Sequence, residues 1–492
     1  MGQTEKKLKI LLVKPDISHI SVGFTSLARV APLDLMMVAA SVPQHVCRIL
    51  DLRLEKSKRA LEAELAAFRP DVVGVTAYSA ESQEAKDICR RVKAVLPEAV
   101  TVIGGYHATM ATEDVLREPA VDFVVRGEGE ETFPELLAAW QRGEGLERVR
   151  GIAYRREGSP FYTPPRPQIP NLDWLPFPDW GLVSRYQSRY YLNVMGVMAS
   201  VETTRGCPFD CNFCSVWVFN RRRYRKKSPS RVLKELKRLP QEIDVIAFVD
   251  DEFWADARRA LEIADLILAE PEESPLRHRR YWAQVRTNDI VRHPELVERW
   301  ARAGLKVLLL GIESHKDAEL EELHHKRNKV QTAIEALKIM RRHGVEAWGC
   351  FIVNPEWGEG DFEELIRFVR QNEIAFPQFT VLTPLPGTVL TERLIREGTL
   401  DLNQLPFQLL DFLHSAIKTS LPLRRFYELL ARLYRETSMA SNLNLYKRAV
   451  RNGVLNRAWL KSPMGRQVTG FLSQLTNVEA YLKAHRLLGQ EV

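Results

Sequence analysis

Three cysteines within eight residues, Cys207, Cys211 and Cys214, are the part of this sequence best suited to chemistry. In the spacing Cys-x3-Cys-x2-Cys they offer three thiolates on one tight loop, enough to cap three irons of a cubane [4Fe-4S] cluster and leave the fourth iron open to a ligand. Closed structural zinc sites need four ligands, usually from two Cys-x2-4-Cys knuckles, and the sequence has no second knuckle. His315, His324 and His325 are too distant in sequence to supply a local fourth ligand. Cys47, Cys89 and Cys350 are scattered, and six cysteines in 492 residues are too few for a disulfide framework.

The elements around the cysteines alternate. From Met198 onward the runs ASVETTRG, VIAFVDD, YWAQVR, KVLLLGIE, EAWGCFIV and QFTVLTPL are separated by helix-length segments, which predicts a partial (βα)6 barrel over 196–392 with its site at the carboxyl ends of the strands. Upstream, LKILLVK, CRILDL, DVVGVTA, VTVIGG and DFVVRG alternate with amphipathic stretches. This predicts a doubly wound α/β domain with a parallel sheet over 1–145. Its strand ends carry Pro15 and Asp16, then Thr76, Tyr78 and Ser79, then Gly104, Gly105, Tyr106 and His107, then Gly127, Glu128 and Gly129. Residues 146–195, with TPPRPQIPNLDWLPFPDW, show no period of 2 or 3.6 and read as an ordered linker. Residues 393–492 read as a helical domain, as in LRRFYELLARLYRE, where Phe426, Leu429, Leu430 and Leu433 recur at helical spacing.

With 45% hydrophobic and 27% charged residues, the chain is long enough for several domains with cores of their own, which excludes disorder and fibrous repeats. No window approaches the 18 or so apolar residues of a membrane span, and Met1 to Lys7 leads directly into a strand-like run; a soluble, cytoplasmic protein is expected. The net charge of +7 equals the excess in residues 401–492, which hold 13 Lys or Arg against 6 Asp or Glu. That tail is a candidate for peripheral contact with an anionic membrane. A second basic run, RRRYRKK (Arg221–Lys227), follows the cysteine loop and precedes Ser228-Pro229, an N-cap and first helical turn; it is either a solvated loop or a docking face for a phosphate, a carboxylate or a reductant such as flavodoxin. No nucleic-acid-binding module is evident.

TTRGCPFDCNFCS resembles the cluster loop of radical S-adenosylmethionine (SAM) enzymes. The resemblance implies that the open iron binds SAM and that one electron, from a flavodoxin- or ferredoxin-type donor, cleaves it to a 5′-deoxyadenosyl radical. It further implies that Phe213 lies by the adenine, that Asp250 and Asp251 of FVDDEF face the methionine amine, and that Gln284 and Arg286 line the third strand with Arg286 paired to the SAM carboxylate. Glu313 and Ser314 of GIES would contact ribose and methionine, and Pro384 of LTPLPGT would pack beside adenine.

The amino-terminal domain, with GGYHAT, RGEGEETF and the later LPFPDW, resembles the cobalamin-binding (class B) subclass of these enzymes. The resemblance implies that Gly104, Gly105, Gly127 and Gly129 clear space for the corrin or its nucleotide tail. The Asp-x-His-x-x-Gly motif that delivers a cobalt-ligating histidine is broken at Asp16 to His19, so the expected cobalamin is base-off and histidine-off, with Tyr78 near its lower face. Methylthiotransferases need three cysteines in the first domain, which here has only Cys47 and Cys89. The implied activity is methyl transfer from methylcobalamin to an unactivated carbon of a small molecule or lipid; the segment DFLHSAIKTSLPLRRFYELLARLY is reminiscent of hopanoid C-3 methylases. The alternatives are an oxidative cyclase or other non-methylating radical enzyme, and a cobalamin sensor, against which the intact cysteines argue.

Overall fold

The computed structural model describes residues 6–18, 21, 27–324, 328–461 and 471–489. They form two compact units, one from residues up to 18 and 32–187, the other from 21, 27–31 and 188 onward. His19 and His325 lie outside the described residues.

The first unit is built on strands β1 (Lys9–Lys14), β2 (Val46–Asp51), β3 (Val72–Thr76), β4 (Val100–Gly104) and β5 (Phe123–Val125). They pair in parallel in the order β2-β1-β3-β4-β5. Ile10, Leu11, Leu12 and Val13 are all fully buried, as expected of a strand covered by helices on both faces. The order reverses between β1 and β3, so the ligand crevice of such a sheet opens at Lys14 and Thr76.

The stretch read as a linker is more ordered than its composition suggested. Strands β6 (Ile152–Arg156) and β7 (Ser159–Tyr162) form a hairpin that extends the sheet antiparallel from β5. Its turn is Glu157-Gly158, both at positive φ (54° and 81°), the geometry that keeps a two-residue hairpin in register with strand twist. Its first strand ends in Arg155 and Arg156 and its second, SPFY, is four residues long with a proline, which hid its alternation. Beyond it, Ile169, Leu172 and Leu175 pack on Met37 of helix α1 (Leu33–Ala40), so the proline-rich segment belongs to the core of this unit.

In the second unit β8 (Gly196–Val201), β9 (Val245–Phe248), β10 (Arg280–Arg286), β11 (Leu305–Glu313), β12 (Glu346–Val353) and β13 (Phe376–Val381) run parallel in sequence order. The expected six-stranded partial barrel is therefore present, extended beyond β8 by the antiparallel pairs Tyr191–Leu192 and Ala28–Arg29. Strand alternation separates two faces. One carries Phe248 and Tyr281, which pack with Phe253 of the turn after β9 and with Trp300 of the helix Pro294–Ala303. The other carries Met198, Ala247, Trp282, Leu309, Trp348 and Phe376 in a single apolar cluster, and further along the same strands Gln284, Arg286 and Glu313. That face is thus apolar at its floor and polar at its rim.

The carboxy-terminal helices close the floor. Ala449 of helix α2 (Leu443–Arg451), with Val454 and Leu455, joins the apolar cluster. Phe426, Leu429, Leu430 and Leu433 of the helix Leu423–Thr437 are at most 2% exposed, so the amphipathic stripe considered for membrane contact is core. Part of the basic excess is engaged as well: Arg424, Arg425, Arg432 and Arg448 form ion pairs with Glu479, Glu359, Glu363 and Glu346. No helix among the described residues is long and apolar enough to cross a membrane.

The Arg448–Glu346 pair is bidentate at 2.9 Å, with Asn452 adding a third bond to the carboxylate at 2.8 Å, and Glu346 is only 3% exposed. Arg448→Met leaves that carboxylate buried and short of its partner, and is expected to lower the stability of this unit by about 3 kcal/mol in urea unfolding followed by tryptophan fluorescence. The double variant R448M/E346L should recover most of the loss; an R448M protein as stable as the parent would show the pair to be dispensable.

Candidate active site

The loop that carries the cysteines leaves β8 and is anchored before it reaches them. Asp250, at the end of β9 and 1% exposed, accepts hydrogen bonds from the Thr203 N–H at 2.6 Å, the Thr203 hydroxyl at 2.7 Å and the Thr204 N–H at 2.5 Å. Burial pushes its carboxyl upward, opposed by Arg259 and these donors. Arg259 in turn donates to the carbonyls of Thr203 (3.1 Å) and Lys227 (2.7 Å). Gly206 then turns the chain at φ 88°, and a Cβ there would lie 2.1 Å from the Arg223 carbonyl, so only glycine fits.

Past Gly206 the cysteine loop is pinned at its middle. Asn212 donates from its backbone to Leu323 (3.2 Å) and from its side chain to Glu322 (2.9 Å), and its carbonyl accepts from Leu390 N–H (2.9 Å). The segments after β11 and β13 thereby hold the loop over the barrel rim. Trp217 adds a bond from its indole N–H to the Cys211 carbonyl at 2.8 Å. The three thiols are half-buried and act electrostatically on one another. Burial pushes all three up, Cys214 to about 12, while Arg286, with Nη1 3.7 Å from the Cys211 sulfur, pulls that thiol down.

No three His, Cys, Asp or Glu side chains among the described residues are close enough to hold one metal ion; a cubane instead takes one thiolate per iron. Desolvated thiols with little cationic help suit a site where iron supplies the positive charge that keeps thiolates ionised. The donor set fits the cluster.

The rim residues divide. Gln284 donates to the Asp251 carbonyl at 3.2 Å and Asp251 accepts from Gly206 N–H at 3.2 Å, so both brace the loop; burial, then Asp250 and Glu202, raise the Asp251 carboxyl to about 7. Arg286 stacks its guanidinium 3.8 Å from the Phe209 ring centre, and its Nη2 is buried without a hydrogen-bond partner among the described residues. Glu313 ends β11 at φ 64°, a strained position for glutamate, and folds back so that a Cβ on Gly311 would strike it at 2.5 Å. Burial raises Glu313 to about 7 against the pull of Arg286. Phe213 is half-buried on the loop, and Pro384 is buried in the turn after β13.

Two expectations for ligand contact change here. Asp250 gives three of its acceptor positions to the Thr203–Thr204 backbone and hydroxyl and is 1% exposed, so in this structure it braces the loop. Ser314 is 1% exposed, with its hydroxyl donated to Glu319 and accepting from Lys316 N–H, so it starts the next helix instead of facing ribose. Sequence reasoning also missed Glu252, fully buried at the β9 end and raised well above its ordinary range by burial and Asp289. Phe209 was missed too, since only the fold places it under Arg286.

At the strand ends of the first unit the Tyr78 ring is stacked on Tyr106 (5.9 Å, 26°), is 60% exposed, and has the Lys14 ammonium 5.1 Å from its centre. Lys14 is itself paired with Glu81 at 2.6 Å. Several expected cobalamin contacts point inward instead. His107 is fully buried, with Nδ1 3.2 Å from the Ser79 hydroxyl and Nε2 3.0 Å from Asp114, which consumes both residues. Thr76 donates to Asp34, and Glu128 accepts from Ile169 N–H at 2.8 Å, fastening the proline-rich segment.

The glycines also divide. A Cβ on Gly105 (φ 97°) would meet Thr76 and Ala77 within about 3 Å, and one on Gly129 would meet Val38 at 3.0 Å. Gly104 has ordinary contacts with Val125, and only Gly127 (φ 85°) faces open space. Tyr78 and Tyr106, after β3 and β4, stack into an aromatic platform with Tyr78 exposed next to the sheet's switch point, which fits a flat macrocycle.

Comparison with known proteins agrees with both halves of this geometry. Residues 21–137 match the B12 binding domain family and residues 201–369 the Radical SAM superfamily. The chain is 33% identical over 409 residues to the hopanoid C-3 methylase of Methylococcus capsulatus, covering 81% of this chain and 75% of that one. It is likewise 33% identical over 404 residues to an uncharacterised methyltransferase of Pyrococcus horikoshii, covering 80% and 85%. In fold it resembles the radical SAM methyltransferase TsrM from Kitasatospora setae, solved with cobalamin and a [4Fe-4S] cluster, with a TM-score of 0.71 over 99% of this chain and all of that one, at 17% identity. A B12 binding domain, a radical SAM barrel with its three cysteines in place, and methyltransferase relatives over four-fifths of its length together make this chain a member of the cobalamin-dependent radical SAM methyltransferases, acting on a small molecule with a [4Fe-4S] cluster, SAM and cobalamin as cofactors.

Proposed function

We propose that the enzyme methylates an unactivated carbon of a hopanoid-type polycyclic lipid. The observation that carries this reading is the 33% identity to hopanoid C-3 methylase over most of both chains. When bound, the cluster and SAM supply a hydrogen-abstracting radical and cobalamin supplies the methyl group.

The residues divide that work. Cys207, Cys211 and Cys214 hold the cluster; Arg286 takes the SAM carboxylate, Glu313 meets its ribose or amine at the rim, and Phe213 and Pro384 flank the adenine. Asp250, Asp251 and Gln284 are positioning residues that fix the loop. In the first unit Tyr78, Tyr106 and Gly127 receive the corrin, while Ser79, His107 and Gly129 shape the loops from within. An external flavodoxin- or ferredoxin-type protein supplies the electron, and the enzyme works in the cytoplasm without using its buried carboxy-terminal stripe as an anchor.

Expression in a hopanoid-producing host that lacks its own C-3 methylase tests the substrate. Lipid mass spectrometry should reveal hopanoids heavier by one CH2, with 5′-deoxyadenosine and S-adenosylhomocysteine formed in equal amounts. Formation of 5′-deoxyadenosine without S-adenosylhomocysteine would identify a cyclase-type reaction instead, and unmodified hopanoids with intact cofactors would exclude this lipid class.

Asp250→Asn replaces an acceptor of three bonds with a group that must turn a donor toward one of them. Reconstituted protein should bind severalfold less iron per chain and melt several degrees lower, while the fraction that holds iron binds SAM with unchanged affinity. Weakened SAM affinity at full iron content would return Asp250 to the ligand-contacting residues.

Cobalt ligation has its own signature. His107 is occupied on both nitrogens, and His45 accepts from Leu8 N–H at 3.3 Å beneath the sheet. Electron paramagnetic resonance of the cob(II)alamin form should therefore show no nitrogen superhyperfine splitting. Triplets from one axial nitrogen would overturn this and direct attention to His19.

A further inference from the structure

The run RRRYRKK is not one uniform patch. Lys227 is buried against Glu235 at 2.7 Å, Arg225 is buried against the Asn220 side chain at 3.0 Å, and Lys226 is paired with Asp256. Arg221, Arg222 and Arg223 remain exposed, on a turn with no carboxylate from Val216 to Lys227. Arg221 and Arg222 both adopt left-handed backbone (φ 49° and 59°), a strained conformation for a side-chain-bearing residue that Gly or Asn would relieve. The turn is nevertheless held firmly, by Arg221 N–H to Val218 (3.0 Å), Arg222 N–H to Trp217 (2.8 Å) and Arg223 N–H to Asn220 (2.9 Å).

This turn also touches the cysteine loop at two points. The Arg223 carbonyl occupies the space that any side chain at Gly206 would need, next to Cys207. The Arg222 guanidinium lies 4.8 Å from the centre of the Trp217 indole, whose N–H is bonded to the Cys211 carbonyl. One aromatic ring and one hydrogen bond therefore separate an exposed, rigid cationic surface from a cluster ligand.

We propose that Arg221, Arg222 and Arg223, with Trp217 beneath them, form the docking face for an acidic one-electron carrier protein. The inference rests on the radical SAM reading of the cysteine loop, which requires one electron per SAM cleaved. The carrier gives up that electron, an anionic flavin hydroquinone becoming the neutral semiquinone, and the cluster is reduced by one charge. A rigid cationic turn steers an acidic partner by long-range attraction and orients it where the redox centre is nearest the surface.

The test uses the full-length reconstituted enzyme and a bacterial flavodoxin. Binding is read from flavin fluorescence, and SAM cleavage is driven either by reduced flavodoxin or by dithionite. In R221E/R222E/R223E the flavodoxin Kd should rise at least about tenfold and flavodoxin-driven cleavage should fall in step, with dithionite-driven cleavage within about twofold of wild type. R222Q/R223Q, which only removes charge, should give an intermediate Kd, and wild-type binding should weaken steeply with added salt. Unchanged flavodoxin affinity in the charge-reversed protein, or an equal loss with both reductants, would overturn the docking face. Wild-type enzyme that binds flavodoxin yet cleaves no SAM with dithionite would instead refute the radical SAM reading.

Discussion

The carboxylate of Asp250 is the point on which the active site hangs. A buried carboxylate is costly unless several donors meet it, and here three donors from Thr203 and Thr204 do so while Arg259 neutralises it from behind. Because those donors belong to the first residues after β8, the same bonds that satisfy the charge also fix where the cysteine loop begins. Arg259 repeats the device by bonding the carbonyls of Thr203 and Lys227, which ties the exit of that loop to its entrance.

The barrel turns this local anchor into a site. With side chains alternating along parallel strands, a residue near the start of β10 and one near its end share a face, so Trp282 packs the floor while Arg286 stands at the rim. The floor is sealed by the carboxy-terminal helix around Ala449, and the rim is crowded with Asp251, Glu252 and Glu313, whose carboxyls are all pushed up by burial. Arg286 acts on both Glu252 and Glu313, and it touches Cys211 as well. Its unpartnered Nη2 is the natural meeting point for an anionic group.

The first unit follows a different economy. Most of its polar loop residues are consumed in holding the loops themselves: His107 joins Ser79 to Asp114, Thr76 meets Asp34, and Glu128 secures the proline-rich segment. What is left outward after β3 and β4 is aromatic surface, Tyr78 on Tyr106, while the open glycine turn at Gly127 follows β5. Such a surface suits a large planar ligand held by shape more than by charge.

Much of this was legible in one dimension. The cysteine spacing, the five apolar runs before residue 126 and the six after Met198 are local patterns, and local patterns survive translation into strands and a metal-binding loop. The edge hairpin at 152–162 escaped because its strands are short, the first ending in two arginines and the second interrupted by a proline, leaving little period to read. Which polar residues face a ligand was beyond the sequence: Asp250 and Asp251 are neighbours in the same motif, yet one gives three acceptor positions to the loop it anchors and the other accepts from Gly206. His107 and Ser314 likewise sit in the expected motifs but spend their polar atoms on Asp114 and Glu319. The sequence determined the elements and the chemistry available, because propensity and spacing act over a few residues. Only the tertiary structure decided which donors and acceptors satisfy one another, because their partners come from segments far away in the sequence, as Glu322 and Leu390 do for Asn212.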